Sequence, residues 1–417
     1  MELYLIPLIM NINLVILSIP IFFILIGIEV VVDRYRSLSL YRWNDAITNI
    51  SCGIGQQVSG VFLRVFTIGC YEMIYSYSRI YSMPENWISF FALFFLYDIL
   101  YYWAHRWSHT INLFWTGHVV HHQSEDFNLS VALRQSSLQI IFTFFVFLPL
   151  AFIGFSTKQL ILVAAINLLY QFWIHTELID KMGFLEWFMN TPSHHRVHHG
   201  KNPEYIDKNY AGVFIIWDRM FGTFEPEKAP VVYGVTQSFE SWNPAWANVE
   251  NLEKISAQWK VTPGFLNKLK ILFLKPGWRP AEQGGYYPIP EVEKSHYEKF
   301  TMPIHHPVLR FVFFQYAILL LGTTTFLFIH KEMPLGWKVL FALLIGWGVV
   351  SAGGLFEGKK SYFRLELLRP VLSIVSVGLY LLLYKPAFPD LPFLLSGAVY
   401  CILSFWGMKS IASFISK

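Results

Sequence analysis

Two stretches of this chain space their histidines identically: His118-Val119-Val120-His121-His122 and His195-Arg196-Val197-His198-His199. A third box, His105-Arg106-Trp107-Ser108-His109, precedes them, and ten of the 14 histidines lie between His105 and His199. On an α-helix, positions i, i+3 and i+4 share a face. His105 can therefore point with His109, His118 with His121 or His122, and His195 with His198 or His199. Neutral imidazole suits iron, zinc, copper and nickel, and a single zinc takes three or four ligands. The boxes supply eight histidines and His175 a ninth, too many for one ion and about right for two. A lone histidine is usually a satisfied polar residue, but three boxes crowded together predict a site for two metal ions.

The elements that must position these histidines belong to a membrane protein. Mean hydropathy is +0.41, and charged residues make up 14% of the chain, against about a quarter in ordinary soluble domains. A helix crosses a bilayer with about 20 apolar residues. Spans are predicted near 6–31, 48–74, 87–104, 137–154, 159–175, 307–329, 335–355, 365–384 and 391–414. The second is interrupted by Gln56, Gln57 and Arg64. The first lacks a basic leader and a cleavage site, and reads as an anchor. The expected fold is all-α: a polytopic helical membrane protein of about nine spans with a histidine-rich cap. Residues 1–300 would hold the catalytic domain and 301–417 a transmembrane bundle. The loops 33–44 and 357–364, the segment 176–306 and Lys417 carry most of the Lys and Arg on one face. The positive-inside rule makes that face cytoplasmic, in a bacterial inner membrane or the endoplasmic reticulum. All three boxes fall on it.

Cys52, Cys70 and Cys401 lie in apolar segments without metal or disulfide spacing. No basic tail or RNA-type motif is present, so nucleic acid is not an expected partner. No Ser or Cys triad signature and no Walker motif competes, and the absence of HExxH disfavours a zincin protease. A metal transporter would place His, Asp or Glu near the middle of several spans. Here the histidines cluster at span ends and in loops on one side.

A histidine-rich site at a membrane face suggests chemistry on a lipid. Histidine-only ligation of two irons leaves open positions for O2 and can yield an oxidant able to attack an unactivated C–H bond. Carboxylates are expected to orient the imidazoles. Candidates are Glu125 and Asp126 after the second box, Glu177 after His175, and Asp207 and Asp218 after the third. Asp98, inside an apolar span and seven residues before His105, is expected to contact a ligand or make a structural hydrogen bond. Arg134 is expected to pair with a carboxylate, bind a head group or snorkel to the interface.

These boxes resemble those of the fatty acid hydroxylase and sterol desaturase superfamily of membrane di-iron enzymes. Longer stretches are similar to its alkylglycerol monooxygenase branch: YYWAHRWSH (101–109), HVVHHQSEDFNLSVALRQS (118–136), NLLYQFWIHTELI (167–179) and the run from Asn190 to Glu227. TPGFLNK (262–268) and KPGWRP (275–280) continue the likeness. It is strong over about 85–280 and only architectural in the last 120 residues. The resemblance implies an O2-dependent hydroxylation of the ether-bearing carbon of an alkylglycerol, giving fatty aldehyde and glycerol. It implies iron ligands at His105, His109, His118, His121, His122, His195, His198 and His199, and a further family histidine at His175. His194 would serve beside the ligands or at the substrate. Tetrahydrobiopterin supplies the electrons in animal members. Those members usually carry Glu after the first box, where this chain has Thr110, so a redox protein partner is the alternative donor. A sterol, carotenoid or fatty acid hydroxylase or desaturase is the alternative activity.

Overall fold

The computed structural model describes residues 14–384 and 391–415. Residues 6–13 of the first predicted span, the loop 385–390 and Lys417 lie outside them. The described residues form helices α1 (Leu14–Arg36), α2 (Trp43–Ser78), α3 (Trp87–Thr110), α4 (Asn112–His122), α5 (Gln139–Thr143), α6 (Leu148–Ile153), α7 (Thr157–Trp173) and α8 (Pro192–His198). They continue with α9 (Ile216–Met220), α10 (Pro244–Val261), α11 (Phe265–Phe273), α12 (His306–Ile329), α13 (Leu335–Phe356), α14 (Lys360–Glu366), α15 (Arg369–Tyr384) and α16 (Leu391–Ile415). Among the described residues there is no strand, only isolated bridges between Met189 and Phe214 and between Gly200 and Tyr233. The all-α expectation holds.

The count of nine spans is not confirmed. Six helices among the described residues are long and apolar enough to cross a bilayer: Trp43–Ser78, Trp87–Thr110, His306–Glu332, Leu335–Phe356, Lys360–Tyr384 and Pro392–Ile415. The predicted span 137–154 is the shorter apolar helix Gln139–Ile153, tightened to 3-10 geometry over Phe144–Phe147. At 1.5 Å per residue it reaches about 22 Å, short of the roughly 30 Å hydrocarbon core. The 17 residues of α7 also fall short. Apolar composition alone does not separate a helix that crosses a membrane from one buried in protein.

The α6–α7 hairpin turns at Gly154. Gly154 has φ +119°, and a Cβ there would lie 1.5 Å from the Tyr81 carbonyl oxygen. Only glycine fits. Ser156 then caps α7 through a reciprocal box with Gln159. Leu93, Leu150, Ala151, Phe155 and Val163 bury a core between this hairpin and α3. The long helix α2 supplies Ile47, Ile54 and Val58 to a second core shared with Phe311, Val349, Met408 and Ile411. It therefore joins the histidine-bearing half to the C-terminal helices.

Candidate metal centre

A break between α3 and α4 starts the site. Ile111 is extended (φ −119°, ψ 114°), and Asn112 is tied to α11 by bonds to the carbonyls of Leu274 (2.9 Å) and Ile271 (2.9 Å). In one straight helix, thirteen residues would separate His105 and His118 by about 20 Å. The break folds α4 back, and their Nε2 atoms lie 2.8 Å apart.

The eight box histidines and His175 sort into two adjoining buried groups. His105, His109, His118, His122 and His198 form one; His121, His175, His195 and His199 form the other. Within each group the ligand atoms lie within 4.8 Å of one another. Each HxxHH box serves both groups. The i, i+4 pair of one box, His118 with His122, joins the first group, and the i, i+4 pair His195 with His199 joins the second. The remaining members, His121 and His198, cross over, because adjacent helical residues point about 100° apart.

The imidazoles are oriented by backbone carbonyls. Nδ1 of His105 meets Tyr210 O at 2.7 Å, His121 meets Arg134 O at 3.0 Å, His175 meets Gln171 O at 2.7 Å and His198 meets Lys208 O at 3.0 Å. A carbonyl only accepts, so each Nδ1 carries the proton and the neutral ring turns its Nε2 lone pair inward. Those lone pairs converge: His121 and His175 Nε2 are 3.2 Å apart, and His198 Nε2 is buried without a partner. His109 Nε2 is likewise buried and unpartnered. Facing lone pairs repel unless a cation joins them. Two nitrogens about 2.1 Å from one ion and at right angles are roughly 3 Å apart, which matches these separations. Burial, reinforced by neighbouring histidines, pushes His118, His121, His122, His195, His198 and His199 well below the ordinary imidazole range. Burial takes His175 down to about 4. The rings are thus held in the neutral form that binds metal.

The expected carboxylates do not touch these rings. Asp98 is fully buried, but its oxygens accept from Asn167 (2.7 Å), the amides of Val213 (2.9 Å) and Phe214 (3.0 Å), and Trp217 Nε1 (2.9 Å). It secures the segment 212–217 beside α3 instead of contacting His105. Asp218 accepts from the amides of Tyr210 and Ala211 (both 2.8 Å) and from Thr223 (2.7 Å), so it holds the turn whose Tyr210 carbonyl meets His105. Glu125 accepts from Tyr297 and the amide of Phe300, Asp126 pairs with Arg42 (2.9 Å) and Lys299 (2.7 Å), Glu177 faces Lys294 (3.5 Å), and Asp207 pairs with Lys275 (2.8 Å). Arg134 neither pairs with a carboxylate nor snorkels. It is 1% exposed and donates to Val120 O (2.6 Å), Asn49 (3.0 Å) and Gln123 (3.2 Å). His194 stands outside both groups, with Nδ1 buried and unpartnered and its ring against Phe224. Thr110 bonds back to the Arg106 carbonyl of its own helix (2.9 Å).

Sequence reasoning missed Tyr210, Lys208 and Gln171, because it cannot place a carbonyl. One signal was present. Asp207 (φ 60°) and Asn209 (φ 54°) adopt left-handed geometry, which Asp and Asn tolerate best, and their turn presents the Lys208 and Tyr210 carbonyls.

The Fatty acid hydroxylase family matches residues 90–223, the stretch that holds all of these histidines. The chain is 36% identical over 409 residues to an alkylglycerol monooxygenase of Xenopus tropicalis, covering 95% of this chain and 89% of that protein. The chain belongs to the alkylglycerol monooxygenase family. The Homo sapiens alkylglycerol monooxygenase is 37% identical over 391 residues, covering 90% of this chain and 84% of that protein. That of Danio rerio is 35% identical over 405 residues, covering 94% and 88%. No solved structure matches. As a member of the alkylglycerol monooxygenase family, the protein is a membrane monooxygenase whose histidine clusters form a metal-binding centre.

Proposed function

We propose that the protein hydroxylates the ether-bearing carbon of an alkylglycerol with O2, at two irons held by the nine clustered histidines. The observation that carries this reading is the set of inward Nε2 lone pairs in two adjoining groups. Iron, when bound there, activates O2 for insertion of one oxygen atom into a C–H bond. The chain's own residues do the rest. The carbonyls of Tyr210, Arg134, Gln171 and Lys208 fix which ring nitrogen is free. Burial keeps the imidazoles unprotonated and excludes water from the reacting carbon. Hydroxylation beside the ether oxygen yields a hemiacetal, whose C–O bond breaks to release fatty aldehyde and glycerol. The second oxygen atom leaves as water, with two protons and two electrons from a donor, tetrahydrobiopterin or a redox protein. His194, beside the ligands but outside both groups, would support the ligands or meet the substrate.

Residues 1–300 would form the catalytic unit and 301–417 a bundle attached through α2. The centre would face the cytoplasm, as the loop charges suggest. The test is aldehyde release from an alkylglycerol by purified, iron-loaded protein with O2 and tetrahydrobiopterin. Pterin-dependent aldehyde is expected. No aldehyde, with about two irons bound per chain and a range of donors supplied, would overturn the substrate assignment.

A further inference from the structure

A cap segment far from the membrane in sequence terms presents a large apolar surface. Phe184, Trp187 and Met220 are 71%, 70% and 67% exposed, and Phe188 beside them is also exposed. In a soluble face such a cluster would be costly, and contiguous apolar patches of this kind mark interaction surfaces. Lys181 and Arg219 are the cations near it; Arg219 reaches 5.9 Å from the Trp187 ring and donates to the Glu186 carbonyl (3.0 Å).

The surface is continuous with the side of a candidate span. Met189 is bridged to Phe214, and the Ile215 amide donates to Phe188 O (3.0 Å). Phe214 stacks on Phe95 of α3 with ring centroids 4.7 Å apart and planes 3° from parallel. Phe95 and its neighbour Phe91 are themselves exposed on the span Trp87–Thr110. Asp98, which fastens this segment, lies seven residues along α3 from His105, about 10 Å down the helix axis. The shelf therefore sits beside the body of the span.

A second observation agrees. Irregular backbone at membrane depth is tolerated only where its polar groups are paired within the protein. Here Asp98 takes the amides of Val213 and Phe214, Asn190 donates to Ala211 O (2.7 Å), and the Asn190 amide donates to Val213 O (2.7 Å). Trp with Arg or Lys beside it is the composition of an interfacial anchor.

We propose that the shelf formed by residues 183–188 and 216–221 is immersed in the lipid bilayer, docking the cap on the membrane next to α3. The occupant of the apolar face is lipid, not a second copy and not a soluble partner. The helix α8, which bears His194, His195 and His198, starts at Pro192, directly after this shelf. The shelf thus sets the histidine pocket against the membrane surface.

The test uses the full chain in lipid nanodiscs, with nitroxide labels at Phe184→Cys and, separately, Trp187→Cys, after Cys52, Cys70 and Cys401 are replaced by Ala. Collision rates with O2 and with a water-soluble nickel chelate are compared. Labels at Leu343→Cys, exposed on the span Leu335–Phe356, and at Lys254→Cys give the lipid and water references. We expect O2 to exceed the chelate severalfold at both shelf positions, as at position 343. A chelate preference like that at position 254 would overturn the proposal. So would low access to both reagents, which would mean that protein covers the face. Neither readout depends on catalytic activity.

Discussion

The carbonyl oxygen of Arg134 accepts the Nδ1 proton of His121 at 3.0 Å while its guanidinium donates to the carbonyl of Val120, one residue before that histidine. One residue thus grips the end of α4 from both sides and sets which nitrogen of His121 faces the centre. Arg134→Ala leaves Val120 O, Asn49 and Gln123 without these donors in a buried place. Each buried acceptor left unsatisfied costs about 1–3 kcal/mol. Lost support for a ligand costs about 10–100-fold in metal affinity. Thermal melting and iron titration check both. Wild-type affinity in a folded Arg134→Ala protein would remove the assigned role.

The two groups predict different outcomes for neighbouring histidines. His198→Ala and His121→Ala each remove an inward-facing ring, and are expected to lose bound iron and turnover while the chain still inserts into membranes. His194→Ala removes a ring outside both groups and is expected to keep its iron. Metal analysis on purified protein decides; equal iron in His198→Ala and wild type would reject the ligand set.

Asp98→Asn replaces four acceptor contacts with a side chain that has one oxygen and an NH2 facing donors. At least one of the donors from Asn167, Val213, Phe214 and Trp217 then goes unsatisfied, at about 1–3 kcal/mol each. Hydrogen exchange is expected to rise at residues 212–217, with activity lowered through the Tyr210 turn. Unchanged exchange there would contradict it. Gly212→Ala tests the same contact sterically, since a Cβ there would lie 2.8 Å from Asp98 Oδ1 and 2.9 Å from Tyr101. It should melt lower than wild type.

Acid should destabilise the metal-free protein. Unfolded histidines take up protons near pH 6.5, whereas burial holds His175 down to about 4 and His195 and His199 well below the ordinary range. Between about pH 4 and 6.5 the unfolded chain binds more protons than the folded one, so stability falls as pH falls through this window. Bound iron is expected to be released over the same descent, because protons compete for the ligand nitrogens. Melting temperature against pH, with and without iron, measures it; a flat metal-free profile from pH 7 to 5 would contradict the neutral, buried assignment.

By itself, the sequence determined the metal chemistry and the helical membrane character. Histidine spacing of three and four residues is a local property of the helix, so His105 with His109 and His118 with His122 were legible as shared faces. Gly154 and Ser156 form the hairpin turn locally, since backbone geometry and capping act within a few residues. The rest depended on distant contacts. The allocation of His121 and His198 across the two groups required the break at Ile111 and its ties to α11. The partners of the imidazoles are carbonyls of Tyr210, Arg134, Gln171 and Lys208, and every residue carries a carbonyl, so composition holds no trace of which one is used. Asp98 read as a ligand contact or a structural hydrogen bond, because charge in an apolar span needs a partner; only the tertiary structure decided that its partners are Asn167, Trp217 and the amides of Val213 and Phe214. The count of nine spans is not confirmed for a related reason: apolarity alone does not say how long a helix runs, and Gln139–Ile153 and Thr157–Trp173 are short.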